Sequence, residues 1–94
     1  MSWSVGTTGT KDEVKKRFVE QMDVYVKMYN GKEEGKDVTL VKERGLALLE
    51  AQTVPAGKLV SLTAFGSHSV WDGNISNASF KFELGFIDAP PQAA

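Results

Sequence analysis

Cysteine is absent from this 94-residue chain. That excludes disulfides, thiolate metal sites and a thiol nucleophile. Histidine occurs once, at His68, so the chain cannot build a zinc site without ligands from other chains. No apolar run approaches the length of a bilayer span, which speaks against a membrane partner. The segment Met1 to Thr10 lacks the charged start and apolar core of a signal peptide, which disfavours secretion. Neither sign of charge is in excess, since eleven basic residues face twelve acidic ones. Nucleic-acid binders normally carry a basic surplus that displaces counterions, so that partner class is disfavoured too. The triplets Asn74-Ile75-Ser76 and Asn77-Ala78-Ser79 match a glycosylation acceptor. Without a secretory signal they read as chance matches in a Ser/Asn-rich segment.

What is present points to one α+β domain over residues 1–88, with 89–94 as a loose tail around Pro90-Pro91. A chain of this size buries about 60–65% of its unfolded surface and has an expected radius of gyration of about 12 Å. That leaves little room for an enclosed cavity, so a ligand site is expected in a surface groove or at a subunit interface.

The clearest pattern lies near the C-terminus. Ala78, Phe80, Phe82, Leu84 and Phe86 alternate with Ser79, Lys81, Glu83 and Gly85. A period of two predicts a strand over 78–87 with one aromatic face. If that face is core, Phe82→Ala should cost about 3–5 kcal/mol. A partner strand is predicted over 58–65, with Val60, Leu62 and Ala64 in one row and Leu59, Ser61, Thr63 and Phe65 in the other. Residues 66–75 between them are small and polar and read as a loop, with Asp72-Gly73 as its tight turn. At the other end, Ser2 to Gly6 alternates so that Trp3 and Val5 share a face, which predicts a third strand.

Two helices are predicted to cover the sheet. Thr10 with Glu13 makes a capping box, and Val14, Phe18, Met22, Tyr25 and Tyr29 form one stripe of a helix over 11–29. Asn30-Gly31 supplies its left-handed stop. Residues 32–36 read as a charged turn broken by Gly35, with Asp37 capping a second helix over 38–52. That helix carries Val38, Leu40, Val41, Leu46, Ala47, Leu48 and Leu49, apolar on more than one side. Helix 1 and the sheet take two of those sides, and a neighbouring subunit is expected on a third. Gly45 in mid-helix costs about 1 kcal/mol relative to Ala, so a close backbone is expected there. The architecture is β-α-α-β-β: a small, mainly antiparallel sheet with two helices on one face.

Two segments carry candidate binding residues. Gly6 to Lys11 places Thr7, Thr8, Thr10 and Lys11 before a helix N-terminus, where free N–H groups and the dipole favour a small anion. It lacks Walker spacing, and Asp12 and Glu13 oppose an anion, so an ordinary strand-to-helix turn competes with that reading. The second segment holds Ser67, His68, Ser69, Trp71, Asp72 and Asn74. Either serine with His68 and Asp72 has the atom types of a hydrolytic triad. Residues this close on one loop rarely reach triad geometry, and no nucleophile elbow surrounds them. A contact loop in which His68 and Trp71 touch a partner or stack on a base is the functional expectation, and a solvated hairpin loop with Trp71 folded over the sheet edge competes with it; no catalysis and no cofactor are expected.

Several of these stretches together resemble a known group. They are Met1-Ser2-Trp3-Ser4-Val5, the charged helix, the Ala/Leu helix, Val60-Ser61-Leu62-Thr63-Ala64-Phe65-Gly66-Ser67-His68 and Ser79-Phe80-Lys81-Phe82. They are similar to small uncharacterised proteins of tailed bacteriophages, which often carry a V-S-x-x-A-x-G-x strand before a Ser/Asn-rich loop. The resemblance covers most of the chain and transfers no catalytic residues. It implies a phage origin and a non-enzymatic role. The expected protein is a homo-oligomer in the host cytoplasm that binds a host factor or a small anionic, nucleotide-like defence signal. The alternative is a minor virion component, a decoration or tail-associated protein.

Overall fold

The computed structural model describes residues 2–71 and 74–90. Its elements run β1 (Ser2–Gly9), α1 (Lys11–Met28), α2 (Glu33–Glu50), β2 (Lys58–Trp71) and β3 (Asn74–Asp88). The sheet is antiparallel throughout, in the order β1-β2-β3. Both helices lie on one face of it, α1 over β1 and β2 and α2 over β2 and β3. The α+β architecture and its β-α-α-β-β order agree with the sequence pattern.

Alternation decides which face is covered. Trp3 and Val5 of β1 pair with Gly66 and Ala64 of β2, which pair in turn with Phe80 and Phe82 of β3. That face meets Val14, Phe18 and Met22 of α1 and Val38, Val41 and Leu49 of α2, all buried. The burial is densest on β2, where Val60, Leu62 and Ala64 are fully enclosed. The aromatic row of β3 forms the rim: Phe80, Phe82 and Leu84 are half-buried, and Phe86 is exposed.

Thr10 and Glu13 close the capping box at the start of α1. Gly31 ends the first helix region at a φ of 79°, in the left-handed range. The helices are cross-linked by Lys15–Glu50 at 2.6 Å and Lys42–Asp23 at 2.7 Å. Asp23 thus reaches across to α2 rather than along its own helix to Lys27. Lys58 pairs with Asp88 at the open end of the hairpin.

Four expectations are corrected. The segment from Gly6 to Gly9 is strand, not a turn, because it pairs with Val60 to Thr63. The second helix starts at Glu33, so Gly35 lies inside it and Asp37 is not its cap; Lys32 stands at the N-cap without a side-chain cap bond. A Cβ at Gly35 would lie 2.6 Å from the Tyr29 carbonyl oxygen, so close approach to α1 explains the glycine. The space beside Gly45 is taken by the Phe18 ring, not by a backbone. Finally, the polar segment 66–75 is not a loop: β2 continues to Trp71 and β3 begins at Asn74. Asp72 and Gly73, read from sequence as the tight turn, lie outside the described residues, as does the tail from 91 to 94.

The longer hairpin changes the shape. A 15-residue strand spans about 50 Å, whereas an 18-residue helix spans about 27 Å. The hairpin therefore outruns its helical cover. The radius of gyration is 15.2 Å and the long axis 58 Å, more extended than chain length alone suggests.

Candidate functional site

The first candidate segment is spent on the fold. Thr7 is half-buried on the core face opposite Leu62, and Thr8 donates to Ser61 Oγ at 3.2 Å on the other face. The Thr10 hydroxyl accepts from the Glu13 N–H, and the Glu13 carboxylate accepts from the Thr10 N–H. Lys11 donates to the carbonyls of Glu50 and Gln52 at 3.0 and 2.9 Å, a cation placed on the C-terminus of α2. Thr8, Thr10 and Lys11 are thus engaged within the chain itself.

These contacts also set a pH response. The Thr10 backbone and hydroxyl, with Arg17 behind them, hold the Glu13 carboxyl below its ordinary value of 4.5. Lys15 does the same for Glu50, and Glu50 raises Lys15 in return. Depressed carboxylates stabilise the fold above their unfolded pKa and lose that effect as pH falls through the folded value. Their contribution, read as the difference in melting temperature between the native chain and a variant lacking both carboxylates, is expected to be level from about pH 7 to pH 5 and to shrink below about pH 4.5. Thermal melts of the native chain and of the double variant Glu13→Gln/Glu50→Gln, followed by circular dichroism, check this.

The second segment is divided by the strand alternation. Ser67 is exposed on the uncovered face, whereas His68 is buried on the core face. The two side chains therefore point to opposite sides of β2, and Ser67 cannot use His68 as a base. The expected contact histidine is instead a core residue. Its ring packs edge-on to Tyr29 and Phe80, with centroids 6.3 and 5.7 Å away, and Asp37 Oδ2 lies 3.8 Å from Nε2. Ser69 and Trp71 lie in the last stretch of β2 and Asn74 opens β3, while Asp72 falls outside the described residues. The two candidate segments do not meet, because Thr8 pairs with Ser61, six residues or about 20 Å along β2 from Ser67.

What the fold does assemble is the sheet face that the helices leave open. Four cross-strand rows line it: Ser2, Ser67 and Ser79; Ser4, Phe65 and Lys81; Gly6, Thr63 and Glu83; and Thr8, Ser61 and Gly85. Ser2, Ser4, Phe65, Ser67, Ser79 and Lys81 of this face, together with Trp3, Gly66 and Phe80, and Tyr25 of α1, from the covered side, border a shallow groove of about 620 Å³. Phe65, one of its lining residues, is 38% exposed. Lys81 and Glu83 pair at 3.1 Å, so the groove carries little net charge. Sequence reasoning found Ser67 but missed Phe65. The available signal was the parity of β2, which puts Phe65 in the row opposite Val60, Leu62 and Ala64.

Among the described residues, no group of three His, Asp or Glu side chains is placed to hold a metal ion. Among the same residues, no helix is long and apolar enough to cross a membrane. The fold and groove define a two-layer α+β protein with an open, hydroxyl-lined sheet face. Comparison with known proteins finds no matching family model, curated protein or solved structure.

Proposed function

We propose that this chain is a non-enzymatic accessory protein of a tailed bacteriophage that self-associates and binds a host protein through its open sheet face. The carrying observation is Phe65, an aromatic left exposed among serines and threonines on a surface with no helical cover. Interface hot spots have this form, an aromatic anchor inside a polar rim. Serine hydroxyls supply adaptable hydrogen bonds around such an anchor. A protein partner is favoured over a small anion because Lys81 is already paired with Glu83 and Lys11 is held by α2.

Affinity capture from lysate of the bacterial host tests this, with Phe65→Arg as the control. A host protein recovered by the native chain and lost with the variant, at unchanged melting temperature, is the expected result. Identical recoveries from both chains, or none, would refute it. Calorimetric titration with a nucleotide panel should give no heat; a binding isotherm would favour the small-ligand reading instead. The reach of the hairpin beyond the helices favours a second reading, a minor virion component that docks by that end. Mass spectrometry of purified particles decides it, since absence from them rejects the idea.

A further inference from the structure

The two edges of the sheet are treated differently. An open edge presents unpaired N–H and C=O groups to other chains, and proteins usually block it. At β1 the block comes from α1: Arg17 Nη1 donates to the Thr8 carbonyl at 3.0 Å and Gln21 Nε2 to the Gly6 carbonyl at 3.3 Å. Along Ser79 to Asp88 of β3, no described side chain donates a hydrogen bond to a strand carbonyl in this way. From Ser79 to Asp88 the edge strand holds no proline, and its register with β2 is regular.

Apolar surface continues past that edge. Lys42 reaches Asp23, and Leu46 shares a groove with Val19, so these residues mark the flank of α2 that faces α1. At 100° per residue, Leu48 falls on the opposite flank, whereas Leu40 and Ala47 turn away from the buried row of Val38, Val41, Gly45 and Leu49 towards solvent. Leu48 is half-buried and Leu40 37% exposed, and on β3 Phe82 is half-buried and Phe86 exposed. Among the described residues, these apolar side chains of α2 and β3 are left partly or wholly open to solvent.

The strand is also complementary to itself. A twofold axis through Phe82 sets antiparallel copies of Phe80-Lys81-Phe82-Glu83-Leu84 against each other. Lys81 then faces Glu83 of the partner subunit, and Phe80 faces the partner's Leu84. Opposite charges on directly facing residues stabilise such a pair, and like charges oppose it. We infer that β3 pairs with β3 of a second copy about Phe82, which closes the free edge into a six-stranded sheet with four helices on one face. The inference rests on the self-association in the proposed function and specifies its geometry. The dimer would also double the open hydroxyl-lined face.

Light scattering coupled to size exclusion tests it with charge variants. The native chain should run at twice its 10.3 kDa mass. Lys81→Glu and Glu83→Lys each place like charges opposite one another twice, and each should weaken the dimer about tenfold or more. Both side chains are more than half exposed, so circular dichroism should show an unchanged fold. Mixing the two variants should restore a dimer, as should the double exchange Lys81→Glu/Glu83→Lys. A native dimer that both single variants retain would overturn the β3 pairing and leave self-association standing. A native chain that stays monomeric at about 100 µM would overturn both, on the affinity scale expected of such an interface.

Discussion

Replacing Phe18 with alanine is expected to cost about 3–5 kcal/mol of unfolding free energy. Phe18 is fully enclosed where α1, α2 and the sheet meet. Its ring occupies the space that a side chain at position 45 would need: a Cβ on Gly45 would lie 2.6 Å from Phe18 Cε1 and 3.2 Å from Phe82 Cε1. The helix accepts the roughly 1 kcal/mol propensity cost of Gly45 so that this ring can seat. Alanine at 18 leaves a void bounded by two helices and a sheet, elements that cannot all collapse into it. A domain of this size has about 5–14 kcal/mol of stability in total, so the loss takes a large share of it. Urea denaturation measures the effect, and a loss under about 1 kcal/mol would contradict the packing. Phe82→Ala should cost less, about 2 kcal/mol, because its half-buried ring removes less surface from water. The strand pattern alone assigned Phe82 the larger role; the structure transfers it to Phe18.

Substituting Gly66 with alanine is expected to displace Trp3 and to cost about 2–4 kcal/mol. Gly66 faces Trp3 across the β1–β2 ladder, and a Cβ there would fall within the indole, 2.5 Å from Nε1. The indole is otherwise enclosed, with Tyr25 tilted over it at a centroid distance of 5.4 Å. Because β1 is an edge strand, relief comes by swinging Trp3 out, which exposes most of its surface. Near-ultraviolet circular dichroism should lose the Trp3 signal while far-ultraviolet signal persists. In a Trp3→Ala background the same glycine substitution should be nearly neutral, since the clash is gone. Additive costs in that cycle would show that Gly66 is needed for some other reason.

Much of the fold was legible because its signals are local. The capping box at Thr10 and Glu13 spans one helical turn, and the stripe from Val14 to Tyr29 repeats within one helix. The rows of β2 and β3 follow from a period of two. The segment 66–75 was misread because Gly, Ser and Asn have low strand propensity and favour turns. Ladder pairing with β3 overrides that preference as far as Trp71. His68 was misread with it, although its parity with Val60, Leu62 and Ala64 already put it on the core face. The Gly6–Lys11 segment was read as a turn for a different reason. Its polar atoms look available in sequence, but Arg17, Glu50 and Gln52 claim their neighbours only once α1 and α2 are in place.

By itself the sequence determined the element order, the two helices and the side of each strand that turns inward. Those follow from residues within a few positions of one another, where propensity, capping and periodicity act. Only the tertiary structure decided which sheet face stays open, that α1 blocks the β1 edge, and that the β3 edge and the outer flank of α2 remain uncovered. Each of these depends on where a helix comes to rest against strands tens of residues away, and that is set by the summed packing of Phe18, Gly45, Trp3 and Gly66 rather than by any local pattern.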